Sequence, residues 1–246
     1  MTLKIESSKT GKWLFRWRSY LPLTLIALIL PALRDYSYFM GSHVGDVVWE
    51  IFCLAVSFFG LFIRALTVGH SPKRTSGRNT KRQVADSLNE TGMYSITRNP
   101  LYLGNFFMIL GVVMFAHHLW LTLVYVLAFW LYYERIVMAE EEFLLEKFSM
   151  EYEIYLKRTP AFVPNIRLWQ NPDLPFSLRT VLKREYSGFF GVIVSFTLLE
   201  FVGDYIIKLK VVLDGWWASL CCFSFVVYVV LRTLKKTTKL LHVEGR

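Results

Sequence analysis

Between Leu101 and Tyr133 the chain runs for 33 residues without a single Asp, Glu, Lys or Arg, and strongly charged segments flank the run on both sides. Two helices that each cross a bilayer need roughly 40 residues. The run is therefore too short for two full spans and too long for one. It predicts a tight membrane hairpin with one short arm, which turns near residues 116–118.

The composition of the whole chain leads to the same class of protein. Hydrophobic residues make up 54% of the 246 residues and charged residues only 19%, with a mean hydropathy of +0.37. A soluble domain carries about a quarter charged residues, and a chain this small cannot hide so much apolar surface in one globule. We predict an all-α, polytopic membrane bundle with about six membrane segments in three hairpins. The other apolar runs are 21–33, 46–69, 188–207 and 211–231.

Positive charge is spread unevenly over the segments that connect these runs. The net charge is +9, and the basic residues concentrate in the N-terminus, the 70–100 loop and the C-terminal tail. Basic loops remain on the cytoplasmic side of membranes. The bias therefore predicts that both termini and the polar segments 70–100 and 134–165 are cytoplasmic. It also explains the basic excess without a nucleic-acid partner.

Isolated polar residues near the membrane runs have simple interpretations. Glu50 and Arg64 lie near the ends of the run 46–69, where they are predicted to anchor it at the headgroups. His117 and His118 are adjacent, so on a helix they point apart, and they predict a polar hairpin tip rather than a metal site. No disulfide or metal spacing is present, because all three cysteines lie in apolar runs: Cys53, Cys221 and Cys222.

Two polar segments carry the residues capable of chemistry. In the first, Arg98 precedes Pro100, which suits the first turn of a helix, and the exposed NH groups of a helix start favour a carboxylate. In the second, Arg135 is followed by the acidic stretch 140–142, within a predicted amphipathic helix that leaves the membrane and ends at Pro160. Taken alone, the first segment also fits an Arg anchor, and the second a solvated charged helix.

Taken together, the two segments resemble the isoprenylcysteine carboxyl methyltransferase family and its relatives, the membrane phospholipid methyltransferases. Those enzymes carry an Arg-His-Pro-x-Tyr-x-Gly motif before a short membrane hairpin, then a Glu-Glu stretch and a helix with Leu, Phe and Tyr. The matching residues here are Gly92, Tyr94, the run 98–104, Glu140, Glu141, Phe148, Tyr152, Tyr155, Pro160 and Pro164. Asn99 stands where the family most often has His, and Ser149 where Gly is usual.

The resemblance covers roughly residues 43–165 and divides the chain into three parts. A basic N-terminus with the first membrane segment occupies 1–42, a methyltransferase-like core occupies 43–165, and a linker, a membrane hairpin and a basic tail occupy 166–246. The resemblance implies S-adenosylmethionine as the cofactor, in a cytosol-facing pocket over the short hairpin. The implied cofactor-binding residues are Tyr94, Arg98, Asn99, Pro100, Tyr102, Gly104 and Glu141.

The resemblance also assigns Arg135 and Glu140 to the reacting end, as catalytic residues. Five residues on an ideal helix turn about 140°, so these two do not share a face. The assignment therefore expects either a bend between Val137 and Ala139 or a pocket that wraps around the helix.

The implied acceptor is a lipid or lipidated molecule that enters sideways from the bilayer. Three acceptors fit the family: a prenylcysteine carboxylate, a lipid phosphate and a phospholipid amine. The basic loop 73–82 favours an anionic acceptor, and so the prediction is O-methylation of a carboxylate or phosphate. N-methylation of an amine is the alternative within the family. A membrane reductase with a related core and a non-catalytic binding protein are the alternatives outside it.

Overall fold

A computed structural model describes residues 31–73, 85–210 and 214–246, together with residues 10, 11, 13, 14, 16, 29 and 75. Within these residues the chain is all-helical, with no strand. Short 3-10 turns lie at Leu33–Asp35, Phe39–Gly41 and Ile166–Leu168. The seven described α-helices are α1 (His43–His70), α2 (Met93–Ile96), α3 (Pro100–Met114), α4 (Leu119–Phe148), α5 (Met150–Arg158), α6 (Leu178–Lys208) and α7 (Gly215–Thr237).

Four of these helices, α1, α4, α6 and α7, are long and apolar enough to cross a membrane, and α3 is a shorter apolar helix. They account for the predicted runs between 46 and 231 and identify an integral membrane protein. Most of the first predicted run, 21–33, lies outside the described residues. The total of six membrane segments and the cytoplasmic placement of the termini therefore stay predictions.

The predicted hairpin with one short arm is confirmed. Helix α3 has 15 residues and α4 has 30, and the turn between them includes His117 at a φ of 60°. The two histidines bond different groups, since His117 Nδ1 lies 3.2 Å from the Ser37 carbonyl oxygen and His118 Nε2 lies 2.7 Å from that of Ala32. The turn is thus fastened to the segment that precedes α1.

Helices α1 and α3 lie against each other along an interface of small residues. A side chain on Gly104 would collide with the Gly60 carbonyl and with Arg64, and one on Gly111 would collide with the Cys53 carbonyl. This close approach lets Ser57 Oγ donate to the Met108 carbonyl over 2.8 Å. Small residues serve membrane interfaces in this way because they bring helix backbones together.

The prediction that Glu50 and Arg64 are headgroup anchors is wrong. Glu50 is only 7% exposed. Arg64 forms a two-point ion pair with Glu185 of α6, and the two side chains are 13% and 5% exposed. An unpaired charge at membrane depth is costly. Both side chains therefore lie inside the bundle. The sequence of α1 alone could not show this, because the partner of Arg64 comes from α6.

The amphipathic segment that follows the hairpin is two helices rather than one. Helix α4 continues unbroken through residues 137–139, so the bend expected there is absent, and the chain breaks instead at Ser149, with φ 46° and ψ −115°. Backbone angles of this kind suit glycine, which is the residue usual at this position in the family. Helix α5 then ends at Arg158, just before the Pro160 that was predicted to stop it.

Candidate functional site

Helix α3 begins without the side-chain cap that several other helices have. Ser42, Ser177 and Asp214 each accept a hydrogen bond from the first turn of α1, α6 and α7. Asn99 occupies the N-cap of α3 and is a favoured capping residue, yet it makes no such bond. Its Nδ2 donates instead to the Ala161 carbonyl oxygen over 3.1 Å. The start of α3 is thus tied to the loop after α5, and its first amides are not capped by a side chain.

Arg98, the residue before this cap, joins three parts of the chain. Its backbone NH donates to the Pro160 carbonyl over 2.9 Å, and Nη1 donates to the carbonyls of Leu156 and Thr159 over 3.0 and 3.2 Å. Nη2 lies 2.9 Å from Glu141 Oε1 on α4. The guanidinium therefore fixes the end of α5 and its following loop against both α3 and α4.

Three buried polar atoms around Arg98 lack an aligned hydrogen-bond partner. They are Arg98 Nε, Glu141 Oε1 and Thr159 Oγ1. Glu141 Oε1 nevertheless lies 2.9 Å from Arg98 Nη2 in an ion pair, and Thr159 is only 2% exposed. Buried polar groups are normally satisfied, and leaving one unsatisfied costs about 1–3 kcal/mol. Arg98 Nε and the Thr159 hydroxyl are therefore two buried groups without a hydrogen-bond partner beside the paired Glu141 carboxylate, and a ligand that binds here would satisfy them.

Glu140 lies beside this group but faces a different partner. Its Oε1 accepts a hydrogen bond from the Tyr102 hydroxyl over 2.8 Å, and the Tyr102 ring packs on the Tyr133 ring with centroids 4.6 Å apart. Tyr102 thus links α3 to α4 within the first turn of α3. The two predicted residues Tyr102 and Glu140 are brought into direct contact.

Two tyrosines of α5 support the same corner. Tyr155 donates to the Tyr94 carbonyl over 2.7 Å, and Tyr152 packs on Tyr155. Burial, and after it the charge of Glu141, raises the pKa of Tyr152 well above its ordinary value. The Tyr152 hydroxyl is therefore neutral at physiological pH and keeps its proton as a hydrogen-bond donor near Arg98 and Glu141.

An open cleft of about 760 Å³ lies over Arg98 and the loop after α5. Four of its lining side chains are cationic and none is acidic. Arg158 is paired with Glu90 at 3.0 Å, while the Arg167 guanidinium has no partner among the described residues. The lining residues are Arg98, Leu156, Lys157, Arg158, Thr159, Pro160, Ala161, Val163, Pro164, Asn165, Ile166 and Arg167. The volume is in the range of small-molecule sites.

Two predicted residues are not brought to this place. Gly104 faces α1, where Arg64 and Gly60 fill the space beside it. Arg135 is exposed on the unbroken helix α4, and its guanidinium makes no hydrogen bond or ion pair with the described residues. Pro100, by contrast, is buried at the first position of α3, where it shapes the helix start.

Sequence analysis missed Thr159 and Tyr152 as residues of the site. Thr159 ends α5 directly before Pro160, and a Thr-Pro pair after a helix is typical of an ordinary helix end. Only the fold shows that its hydroxyl is buried next to Arg98. Tyr152 was noticed as a member of the aromatic pattern, which cannot distinguish packing from a polar role.

A family model for phospholipid methyltransferase matches residues 74–151, a range that contains Tyr94, the start of α3 and the acidic stretch of α4. It ends before Thr159 and before α6 and α7. The match therefore includes one side of the Arg98 region, while the loop that closes it lies outside.

Known relatives fall into two groups by name. The nickel-cobalt-cadmium resistance protein NccN of Alcaligenes xylosoxydans xylosoxydans is 32% identical over 63% of this chain and 66% of that protein. The cobalt-zinc-cadmium resistance protein CzcN of Cupriavidus metallidurans is 31% identical over 63% and 64%. The protein-S-isoprenylcysteine O-methyltransferase of Saccharomyces cerevisiae is 28% identical over 57% of each chain. Each match spans less than two thirds of the relative, and no solved structure matches the chain.

Two of these relatives are named for metal resistance, so we searched the described residues for a group of metal-ligating side chains. No group of three or more His, Cys, Asp or Glu side chains lies there in an arrangement that could hold a metal ion. The polar residues around Arg98 include both a guanidinium and a carboxylate, Glu141.

Proposed function

The chain belongs to the membrane methyltransferase family of isoprenylcysteine and phospholipid methyltransferases, and from this premise we propose that it transfers a methyl group from S-adenosylmethionine to an acceptor held in the membrane. The acceptor group that we propose is anionic, a carboxylate or a phosphate on a lipid or lipidated molecule. The observation that carries the proposal is the pair of unsatisfied buried groups, Arg98 Nε and the Thr159 hydroxyl, beside the buried carboxylate of Glu141.

The chemistry of these atoms fits the amino-acid end of S-adenosylmethionine. A carboxylate needs donors, which Arg98 Nε and the Thr159 hydroxyl offer, and charge-assisted bonds to guanidinium are strong. An ammonium needs an acceptor, which Glu141 Oε1 offers. In this proposal Asn99 and Pro100 set the start of α3 beside the ligand, Tyr94 supports α5 through its carbonyl, and Gly104 contributes by packing against α1.

When bound, S-adenosylmethionine supplies a methyl group on a positively charged sulfur, so that transfer to an anionic oxygen forms a C–O bond as the C–S bond breaks and requires no proton movement. The protein therefore needs to align and partly desolvate the two groups rather than to provide a strong base. We assign Glu140, which Tyr102 orients through a hydrogen bond, to face the positively charged methyl donor. Arg135, whose guanidinium has no partner among the residues that the structure describes, is assigned to hold the acceptor anion, in a pocket that wraps around α4.

The surroundings of the cleft favour an amphiphilic, anionic acceptor. The cleft wall has four cations and no carboxylate, and two of its aliphatic side chains, Val163 and Ile166, are 73% and 77% exposed. A charged group with an apolar tail matches such a rim, because cations attract the headgroup and the aliphatic side chains accept the tail. A phospholipid amine remains the second candidate, since the matching family model is that of phospholipid methyltransferases.

The experiment that separates these candidates supplies radiolabelled S-adenosylmethionine to the purified protein in lipid nanodiscs. A prenylcysteine, a lipid phosphate and phosphatidylethanolamine are offered in turn, with protein lacking Glu140 (Glu140→Gln) as the background control. We expect label on one of the anionic acceptors, with a rate that is flat across neutral pH because no amine has to lose a proton. Label on phosphatidylethanolamine alone would move the protein to the N-methylating branch of the family.

A further inference from the structure

A polar network inside the described bundle joins three helices at Arg64. Its Nε donates to Glu185 Oε2 over 2.7 Å, Nη2 donates to Glu185 Oε1 over 2.8 Å, and Nη1 donates to Asn105 Oδ1 over 2.7 Å. Arg64 belongs to α1, Asn105 to α3 and Glu185 to α6. A two-point pair of this kind fixes orientation as well as distance.

The stem of Arg64 is held as firmly as its guanidinium. It passes over Gly104, where a side chain of any size would collide with its Cγ. One end of the side chain is fixed by helix α1 and the other by Glu185 and Asn105, so the Arg64 side chain cannot move away from Gly104 without breaking these bonds. Gly104 of the motif is therefore the position that admits Arg64 to the surface of α3.

This network is connected to the candidate site through helix α3. Asn105 follows Gly104, and Tyr102, which bonds Glu140, lies one turn closer to the start of the same helix. A guanidinium with little water around it keeps its charged partner, because separation leaves an unpaired charge in an apolar medium. Helix α3 therefore cannot slide or rotate against α1 and α6 without giving up the bond to Arg64.

Glu185 comes from a part of the chain that the family match does not include. The matched residues end at 151, and α6 begins at Leu178. The carboxylate that neutralises Arg64 is thus supplied by the C-terminal pair of helices. This gives α6 a task in addition to completing the bundle.

We propose that Arg64 is a positioning residue for the cofactor site. Glu185 of α6 holds Arg64, and Arg64 in turn fixes the depth and rotation of α3 through Asn105. The position of α3 then determines where Arg98 and Tyr102 lie. The proposal rests on the proposed function of the cleft. It makes the C-terminal helices part of the machinery that orders the site.

The test compares Asn105→Leu and Glu185→Gln with a control, Ser57→Ala. Asn105→Leu leaves the pair between Arg64 and Glu185 in place but frees α3 from it, and Glu185→Gln removes the countercharge. Ser57→Ala also deletes one hydrogen bond between α1 and α3, at a position away from Arg64. Titration calorimetry with S-adenosylhomocysteine in detergent gives the Kd and the number of sites per chain.

We expect both network variants to raise the Kd about tenfold with one site per chain retained, and Ser57→Ala to change it less than twofold. A purely structural role would instead lower the number of sites and the unfolding temperature while the remaining sites keep their Kd, and that result would overturn the proposal. An equal change in Asn105→Leu and Ser57→Ala would overturn it as well.

Hydrogen exchange of the α3 amides provides a readout that does not depend on the cofactor. We expect residues 103–107 to exchange faster in Asn105→Leu than in Ser57→Ala, with α7 unchanged in both. If wild-type protein binds no cofactor but the two variants still differ in exchange in this way, the proposed function is refuted and the coupling between Arg64 and α3 stands. Unchanged exchange in Asn105→Leu would refute the coupling itself.

Discussion

At the level of single residues, the site contains groups whose hydrogen bonds stabilise the fold and buried atoms that have no hydrogen-bond partner. Arg98 uses Nη1 and Nη2 for the α5 carbonyls and Glu141, and leaves Nε unsatisfied. Replacing Arg98 therefore disturbs the loop and the ligand together. Thr159 is a cleaner probe, because its buried hydroxyl has no partner in the described protein.

Thr159→Val should weaken cofactor binding without weakening the protein. Valine has the same shape, and losing an unsatisfied hydroxyl leaves the free energy of unfolding unchanged or slightly higher. Losing one hydrogen bond to the ligand, about 0.5–1.5 kcal/mol, should raise the Kd about three- to tenfold. The matched control is Thr97→Val, whose fully buried hydroxyl bonds the Ala161 and Phe162 carbonyls and which should lower thermal stability instead. Binding unaffected by Thr159→Val would exclude this hydroxyl from the site.

Arg135→Ala should abolish methyl transfer and leave the cofactor Kd within about twofold of wild type. The reason is that Arg135 lies apart from Arg98 and Glu141 and is assigned to the acceptor, so its loss removes alignment and not affinity for the methyl donor. Arg135→Lys should recover part of the rate, since an ammonium lacks the two-point fork. Paired measurements of turnover and calorimetric Kd check this, and a raised Kd with normal turnover would reverse the assignment.

At the scale of elements, the short hairpin was predictable because the length of an uncharged run is a direct measure of what can lie in a bilayer. The break between α4 and α5 was not, because Ser149 is an ordinary residue within a continuous amphipathic pattern. Only the backbone reveals its positive φ.

Ser149→Gly should stabilise the protein by about 1 kcal/mol. A side chain at these backbone angles costs about 1–3 kcal/mol, and this exceeds the 0.5–1 kcal/mol that glycine costs through its freer unfolded chain. For a chain of this length the unfolding midpoint should rise by about 2–4 °C. Ser149→Ala is the control and should give no gain, because alanine keeps the β-carbon. A gain of equal size in both variants would mean that the strain is not at this position.

At the scale of the whole molecule, sequence analysis identified the class of protein and most of the membrane segments, but not how charges pair across the bundle. Arg64 and Glu185 are 121 positions apart, and the sequence around either residue does not predict that the two are paired. The same holds for Thr159, which becomes part of the site only when the loop after α5 folds back on Arg98. Local patterns predict elements, whereas the site depends on contacts between distant ones.

The charge distribution predicts that reporter fusions at residues 2 and 246 both read cytoplasmic, while a reporter inserted at the hairpin tip near residue 117 reads the opposite side. The physical basis is the retention of basic loops on the cytoplasmic side. Opposite readings at the two termini would mean an odd number of membrane spans and would contradict the arrangement in three hairpins.

Arg98 and Glu141 are proposed to form part of a site for S-adenosylmethionine, and calorimetric titration of the purified protein measures this binding. Wild-type protein should bind one S-adenosylmethionine per chain. Glu141→Gln should raise the Kd about tenfold or more, since a charge-assisted bond to the ammonium contributes about 1.5–3 kcal/mol. Arg232→Gln, which removes an exposed side chain that contacts Tyr228 of the same helix α7, should change the Kd less than twofold. Absence of binding in folded wild-type protein, or an equal effect of the two substitutions, would contradict the account.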